Sequence, residues 1–216
     1  ISDSEIKGQM SRQKPYRRWV RDNVIQLRGL FTPSEPPAEA PAALLQKQHA
    51  FGYTEEELKM ILAPMASQGQ EPIGSMGNDA ALAVLSNKPR LLFDYFKQLF
   101  AQVTNPPIDP LREELVMSLM SFIGRVGNVL EETPAHCRQL KLPHPLLTPD
   151  DVNRLRTTAH PGLVVRELDM LFPAGGGGEQ LAAALSALFA QAEQQVRDGA
   201  TILILTDRNL SAALAP

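Results

Sequence analysis

The chain has 216 residues, 44% hydrophobic and 21% charged, with a formal net charge of -3. That is enough apolar material for one substantial core or two small ones, and the composition excludes a disordered tail and argues against a nucleic-acid binder. The single cysteine, Cys137, excludes an intrachain disulfide. No Cys/His cluster has the spacing of a closed zinc site, and no apolar run approaches the about 20 residues that cross a bilayer. The opening ISDSEIKGQM lacks the basic-then-apolar pattern of a secretory leader, so a cytoplasmic location is the default expectation. Both ends read as cuts through a longer polypeptide.

Residues 2–30 set Ile6, Met10, Trp19, Val20, Ile25 and Leu27 among seven Lys and Arg, which predicts two helical pieces on either side of Pro15. The basic residues fit the solvated face of a connecting helix against an acidic neighbour better than a nucleic-acid patch, because no aromatic stacking pattern accompanies them. FTPSEPPAEAP, residues 31–41, is a proline-rich linker. Thr54 with Glu57 three residues on predicts a capping box opening a helix whose apolar face is residues 58–62. Met60, Met65 and Met76 read as core filler.

Gly74, Gly77, Asn78 and Asp79 predict a tight loop that uses left-handed backbone. Leu91, Leu92, Tyr95, Phe96, Leu99 and Phe100 then recur at helical spacing, which predicts a core-facing helix over residues 89–100. Asn105-Pro106-Pro107 ends it and holds Thr104 and Asn105 on a stiff corner. After Asp109-Pro110 a further helical run, residues 111–119, carries Glu113 and Glu114 in its first turn, where the helix dipole favours them.

Residues 124–147 lose periodicity, and Gly127, Pro134, Pro143 and Pro145 mark an irregular surface excursion. His136 beside Cys137 invites a nucleophile reading, but an exposed histidine and a structural thiol are favoured. His144 reads as a surface residue and Glu131-Glu132 as a solvated pair. Thr148-Pro149-Asp150-Asp151 opens a helix running to about residue 155. A strand over residues 163–172, an alanine-rich helix over 179–198 and a strand over 201–205 then form a βαβ unit with parallel strands. Gly175 to Gly178 lack the spacing of a phosphate loop and read as a flexible connection. Asp207 and Arg208, at the carboxyl end of the second strand, are the best-placed polar pair of this region, and a salt-bridged strand end explains them equally well.

The run FGYTEEELKMILAPMASQGQEPIGSMGNDAALAVLSNKPRLLFDYFKQLFAQVTNPPIDPLREELVMSL resembles the central domain of the glutamate synthase large (alpha) chain. The likeness extends more loosely from SDSEIK…PYRRWV through EETPAHCRQLKLPHPLLT to DGATILILTDR, covering essentially the whole chain. It implies an α/β fold: a helical N-terminal half followed by the βαβ unit, resembling a reduced flavin-barrel-like domain. The implied division is connecting helices over 1–30 after an absent amidotransferase domain, a linker and lead-in over 31–50, and a central α/β domain over 51–216, truncated at its C-terminus.

The resemblance further implies a parent oxidoreductase that makes glutamate from glutamine and 2-oxoglutarate, using FMN and an iron-sulfur cluster, with NAD(P)H or ferredoxin as electron donor. Its partners would be the amidotransferase and FMN domains of the same polypeptide and the small electron-transfer subunit, with no nucleic acid and no membrane. The segment itself is expected to be inactive, with no catalytic, cofactor or metal residue. Thr104 and Asn105 match the part of the family's domain that lines the ammonia channel, and Ser75, Asn78 and Asp79 form a loop that either supports the same interface or caps a turn, with a structural role favoured for Asp79. Neutral ammonia needs hydrogen-bonding groups without a strong acid, and threonine and asparagine supply them without ionising. Two other readings compete: an independent α/β enzyme using Asp207, Arg208 and His136 on an anionic metabolite, and an interaction module using the basic N-terminal helix.

Overall fold

The computed structural model describes residues 1–30, 39–70, 72, 77, 79, 81, 83–87, 92–96, 98–102, 111 and 116–215. The chain divides into two compact units, one formed by residues 1–34 and 117–216, the other by residues 35–116.

The first unit opens with α1 (Asp3–Arg12) and α2 (Tyr16–Asn23), separated at Pro15. Ser2 and Glu5 close a capping box on α1, satisfying backbone donors that a helix start leaves orphaned. Beyond α2 the chain extends, and Ile25 lies against the strand β2 (Leu140–Leu142): its N–H donates to Gln139 O at 2.9 Å and its carbonyl accepts from Lys141 N at 3.0 Å. On its other side β2 pairs antiparallel with β1 (Ser121–Ile123).

The core forms around that pairing. Leu140 is fully buried, and Ile25, Leu142, Leu155 and Leu163 pack with it, with Leu27, Ile123 and Ile202 at the margin. The expected irregular surface excursion over residues 124–147 is therefore corrected at its C-terminal end. In Leu140-Lys141-Leu142 the period-two alternation sends both leucines inward and the lysine to solvent. Three residues are too few for that pattern to stand out among prolines.

α6 (Pro149–Arg156) starts at a capping box, Thr148 with Asp151, and contributes Leu155 to the core. Arg156 joins it to β3 (Val165–Asp169): Nη2 donates to Glu167 Oε1 at 2.9 Å, and Nε faces Oε2 at 2.6 Å. β3 pairs parallel with β5 (Ile202–Thr206) in the register Val165 to Ile202 through Asp169 to Thr206. α7 (Gly177–Arg197) connects them, so the expected βαβ unit forms with its strands parallel.

The single strand expected over 163–172 is broken. Asp169 Oδ1 accepts from Leu171 N at 3.0 Å, which turns the chain, and β4 (Phe172–Pro173) leaves to pair antiparallel with β6 (Leu214–Ala215). The likeness to a reduced flavin barrel is also corrected. Among the described residues the strands form three separate two-stranded sheets, all open. Closure requires each strand to pair on both edges, and among the described residues only β2 gains a second neighbour, the single bridge to Ile25. Leu205 on β5 is 57% exposed, where a closed sheet would cover it.

The second unit contains α3 (Pro41–Ala50), α4 (Glu55–Glu57), a π-helical turn at Leu58–Leu62 and α5 (Ala63–Gln68). The expected Thr54–Glu57 capping box is present. The helix widens just before Pro64, whose ring cannot donate to the carbonyl four residues back and crowds it. Two expectations are corrected here. Met60 and Met65 are exposed, not core filler. The described part of 89–100 forms only a 3-10 turn, Leu92–Tyr95, with Leu92, Phe93, Phe96, Leu99 and Phe100 exposed. Apolar spacing of this kind forms a long helix only when a packing surface completes it. Met76 and most of 103–115 lie outside the described residues.

Candidate functional site

Thr104, Asn105, Ser75 and Asn78 lie outside the described residues. Asp79 is exposed and belongs to no regular element. Gly77, two residues earlier, takes φ +91°, as its loop was expected to require, and a Cβ there would meet the Phe100 backbone carbonyl carbon at 2.8 Å. Gly77 thus lies close against the backbone of Phe100 and Ala101.

Asp207 and Arg208 lie at the carboxyl edge of the β3–β5 pair. Met170 N donates to Thr206 O at 3.0 Å, extending the ladder one step past the strands. Thr206 is buried, and its hydroxyl accepts from Arg208 N at 3.4 Å. Asp207 is half-buried and its carbonyl accepts from Leu210 N, closing a turn. Among the described residues no ion pair joins Asp207 to Arg208, which is exposed. Beside this edge runs a groove of about 210 Å³ between the β3–β4 turn and α7, lined by Met170, Leu171, Phe172, Leu181 and Leu185 with Asp169 at one margin. It is an apolar surface with one carboxylate already engaged by Leu171 N.

His136 and Cys137 sit in the 3-10 turn Pro134–Cys137 and are both half-buried, so the expectation of an exposed histidine is corrected: its Nε2 lies where a Cβ on Gly127 would come within 2.9 Å. His144 is likewise half-buried. Glu132, expected to be merely solvated, is fastened to the N-terminal segment. Tyr16 Oη donates to its Oε2 at 2.8 Å and Lys14 Nζ pairs with the same oxygen at 3.0 Å. The Tyr16 hydrogen bond, then Lys14, holds the Glu132 carboxyl below its ordinary range, and the same bond holds the Tyr16 phenol above its own. A partner more than a hundred positions away left no local signal.

Gly177 and Gly178 form the first residues of α7 instead of a free connection, and Gln180 folds back over Gly176 at the helix start. Among the described residues no group of three or more His, Cys, Asp or Glu could hold a metal ion, and no helix is long and apolar enough to cross a membrane. One cysteine cannot supply the ligand set of an iron-sulfur cluster.

With this geometry in view, comparison with known proteins decides the family. A model of the glutamate synthase central domain matches residues 46–216. The chain belongs to that family. It is 42% identical over 216 residues to the glutamate synthase [NADPH] large chain of Bacillus subtilis, covering 100% of this chain and 14% of the relative. It is 45% identical over 217 residues to ferredoxin-dependent glutamate synthase 2 of Synechocystis, covering 99% and 14%. Against the glutamate synthase [NADH] of Schizosaccharomyces pombe it is 40% identical over 229 residues, covering 100% and 11%. The central domain thus spans about one-seventh or less of the length of these relatives. Their names carry three different electron donors at similar identity, so likeness of this domain does not select among them.

Proposed function

We propose that this chain is the connecting domain of a glutamate synthase, joining a glutaminase domain to an FMN-bearing synthase domain and helping to form the passage for ammonia between them. The observation that carries the reading is the family match over residues 46–216, supported by alignment of the whole chain to a large chain at 42% identity. The parent is an oxidoreductase of the cytoplasm that forms glutamate from glutamine and 2-oxoglutarate. Glutamine hydrolysis and the flavin-dependent reduction belong to the other domains, and an iron-sulfur cluster passes electrons from NAD(P)H, through the small subunit, or from ferredoxin.

In this reading Thr104 and Asn105 line the passage and Ser75, Asn78 and Asp79 support the loop beside it. The hydroxyl and the amide can exchange hydrogen bonds with neutral ammonia, whereas a carboxylic acid would trap it as ammonium. The alternative, an independent enzyme using Asp207, Arg208 and His136, has less support: among the described residues no hydrogen bond or ion pair links the three.

The test is made in the full-length parent. Thr104→Val and Asn105→Ala are expected to leave glutaminase turnover in place while less of the released ammonia appears as glutamate. Unchanged stoichiometry between the half-reactions in both variants would remove the channel role. Ammonia release by the isolated segment supplied with glutamine would instead favour the independent enzyme.

A further inference from the structure

Residues 1–30 hold seven Lys and Arg against three Asp and Glu, a net +4 on a chain of net -3, so the remaining residues hold -7. This charge is displayed on a fixed scaffold. The inner side of α2 is tied down by Tyr16 to Glu132 at 2.8 Å and by Asn23, which accepts from Arg138 Nε at 3.4 Å. Arg17, Arg18, Val20 and Arg21 are left exposed. Arg18 and Arg21 share one carboxylate, Asp22, at 3.4 and 2.8 Å, so two guanidinium groups face a single negative charge. Arg17 has no ion pair among the described residues, and the face stays positive.

α1 supplies a second, independent feature. Every residue of this ten-residue helix is exposed except Gly8, which is half-buried. Ile6 and Met10, one turn apart, are 46% and 60% exposed. Helices this short are marginal in water without a packing partner, and a pair of apolar residues at this spacing is how an amphipathic helix enters a groove.

We propose that α1 and the outer face of α2 dock onto an acidic protein surface with an apolar centre, carried by another domain of the longer polypeptide; this rests on the connecting-domain reading above. Arginine is favoured at such contacts because its planar fork pairs with carboxylates and sheds water readily. Nucleic acid is the poorer occupant, since the one tryptophan is engaged at its ring by Tyr16 and Lys14 instead of being presented for stacking. Two apolar residues are also too few to seat a helix in a lipid surface.

Amide hydrogen exchange of the full-length gene product tests this. In the wild type the α1 amides should exchange about tenfold or more slowly than in Arg17→Glu/Arg18→Glu. Ile6→Gln/Met10→Gln, which keeps good helix propensity, should lose the same protection. Raising salt to about 0.5 M should weaken protection in the wild type, and Arg17→Lys/Arg18→Lys should retain most of it. Unprotected α1 amides in the wild type, or protection indifferent to both sets of substitutions, would overturn the proposal. So would protection that arises only on adding anionic vesicles or RNA. The ammonia-to-glutamate stoichiometry of the same samples reports separately on the connecting role, so the two readings can fail independently.

Discussion

Tyr16 Oη donates a 2.8 Å hydrogen bond to Glu132 Oε2 across 116 positions of sequence, and Lys14 reaches the same carboxylate at 3.0 Å and the Glu132 carbonyl at 3.1 Å. The contact latches the N-terminal segment onto the unit that holds the core. It also makes that latch sensitive to pH at both ends of the scale.

For Glu132 the folded-state pKa lies below the unfolded value, so its contribution is present above about 4.5 and is lost as pH falls through the folded value. For Tyr16 the folded value lies above 10.0, so its contribution is complete below that pH and is lost as pH rises through the folded value. Glu132→Gln should therefore lower the melting temperature at neutral pH, with the gap from wild type closing in acid. A gap that stays constant from neutral to strongly acidic pH would refute the assignment.

Leu140 is fully buried, whereas Leu205 is 57% exposed. Leu140→Ala should cost about 2–5 kcal/mol through lost transfer energy and the cavity left behind. Leu205→Ala should stay within about 0.5 kcal/mol. Urea unfolding of both variants checks the contrast, and equal effects would show that the core does not lie where β2 meets Ile25.

Thr148 and Asp151 satisfy each other's backbone donors at 3.0 and 3.2 Å, and the Thr148 hydroxyl also bonds the Asp151 carboxylate at 2.8 Å. Thr148→Ala should cost about 1 kcal/mol. Asp151→Ala should cost about 1–3 kcal/mol, because the side chain is fully buried and its removal leaves a donor unmet. The double variant should lose less than the sum, which a double-mutant cycle measures. Strict additivity would mean that the box is not a unit.

Gly77→Ala forces a Cβ against the Phe100 backbone at a residue with φ +91°. A destabilisation of about 1–3 kcal/mol is expected. Gly69→Ala, at φ +61° but with nothing within 4 Å of the added carbon, separates conformational strain from the clash. If Gly77→Ala costs no more than Gly69→Ala, the close approach is not significant.

What could be read in the chain itself was set within a few residues. The break at Pro15, the capping box at Thr54, the helix start at Pro149 and the positive φ of Gly77 all follow from a missing donor, a short hydroxyl or a missing Cβ. The parallel βαβ unit was also legible, because two apolar strands flanking a long helix have few ways to bury their faces. The family was legible because a long, specific run of residues carries it. Tertiary structure decided what depends on partners distant in sequence. It made Leu140 and Leu142 core residues in a proline-rich stretch, gave Glu132 its partners, broke the strand at Asp169 and left the sheets open. Local hydrogen bonds and sterics act over one turn of chain, whereas burial and strand pairing depend on which distant segment arrives alongside.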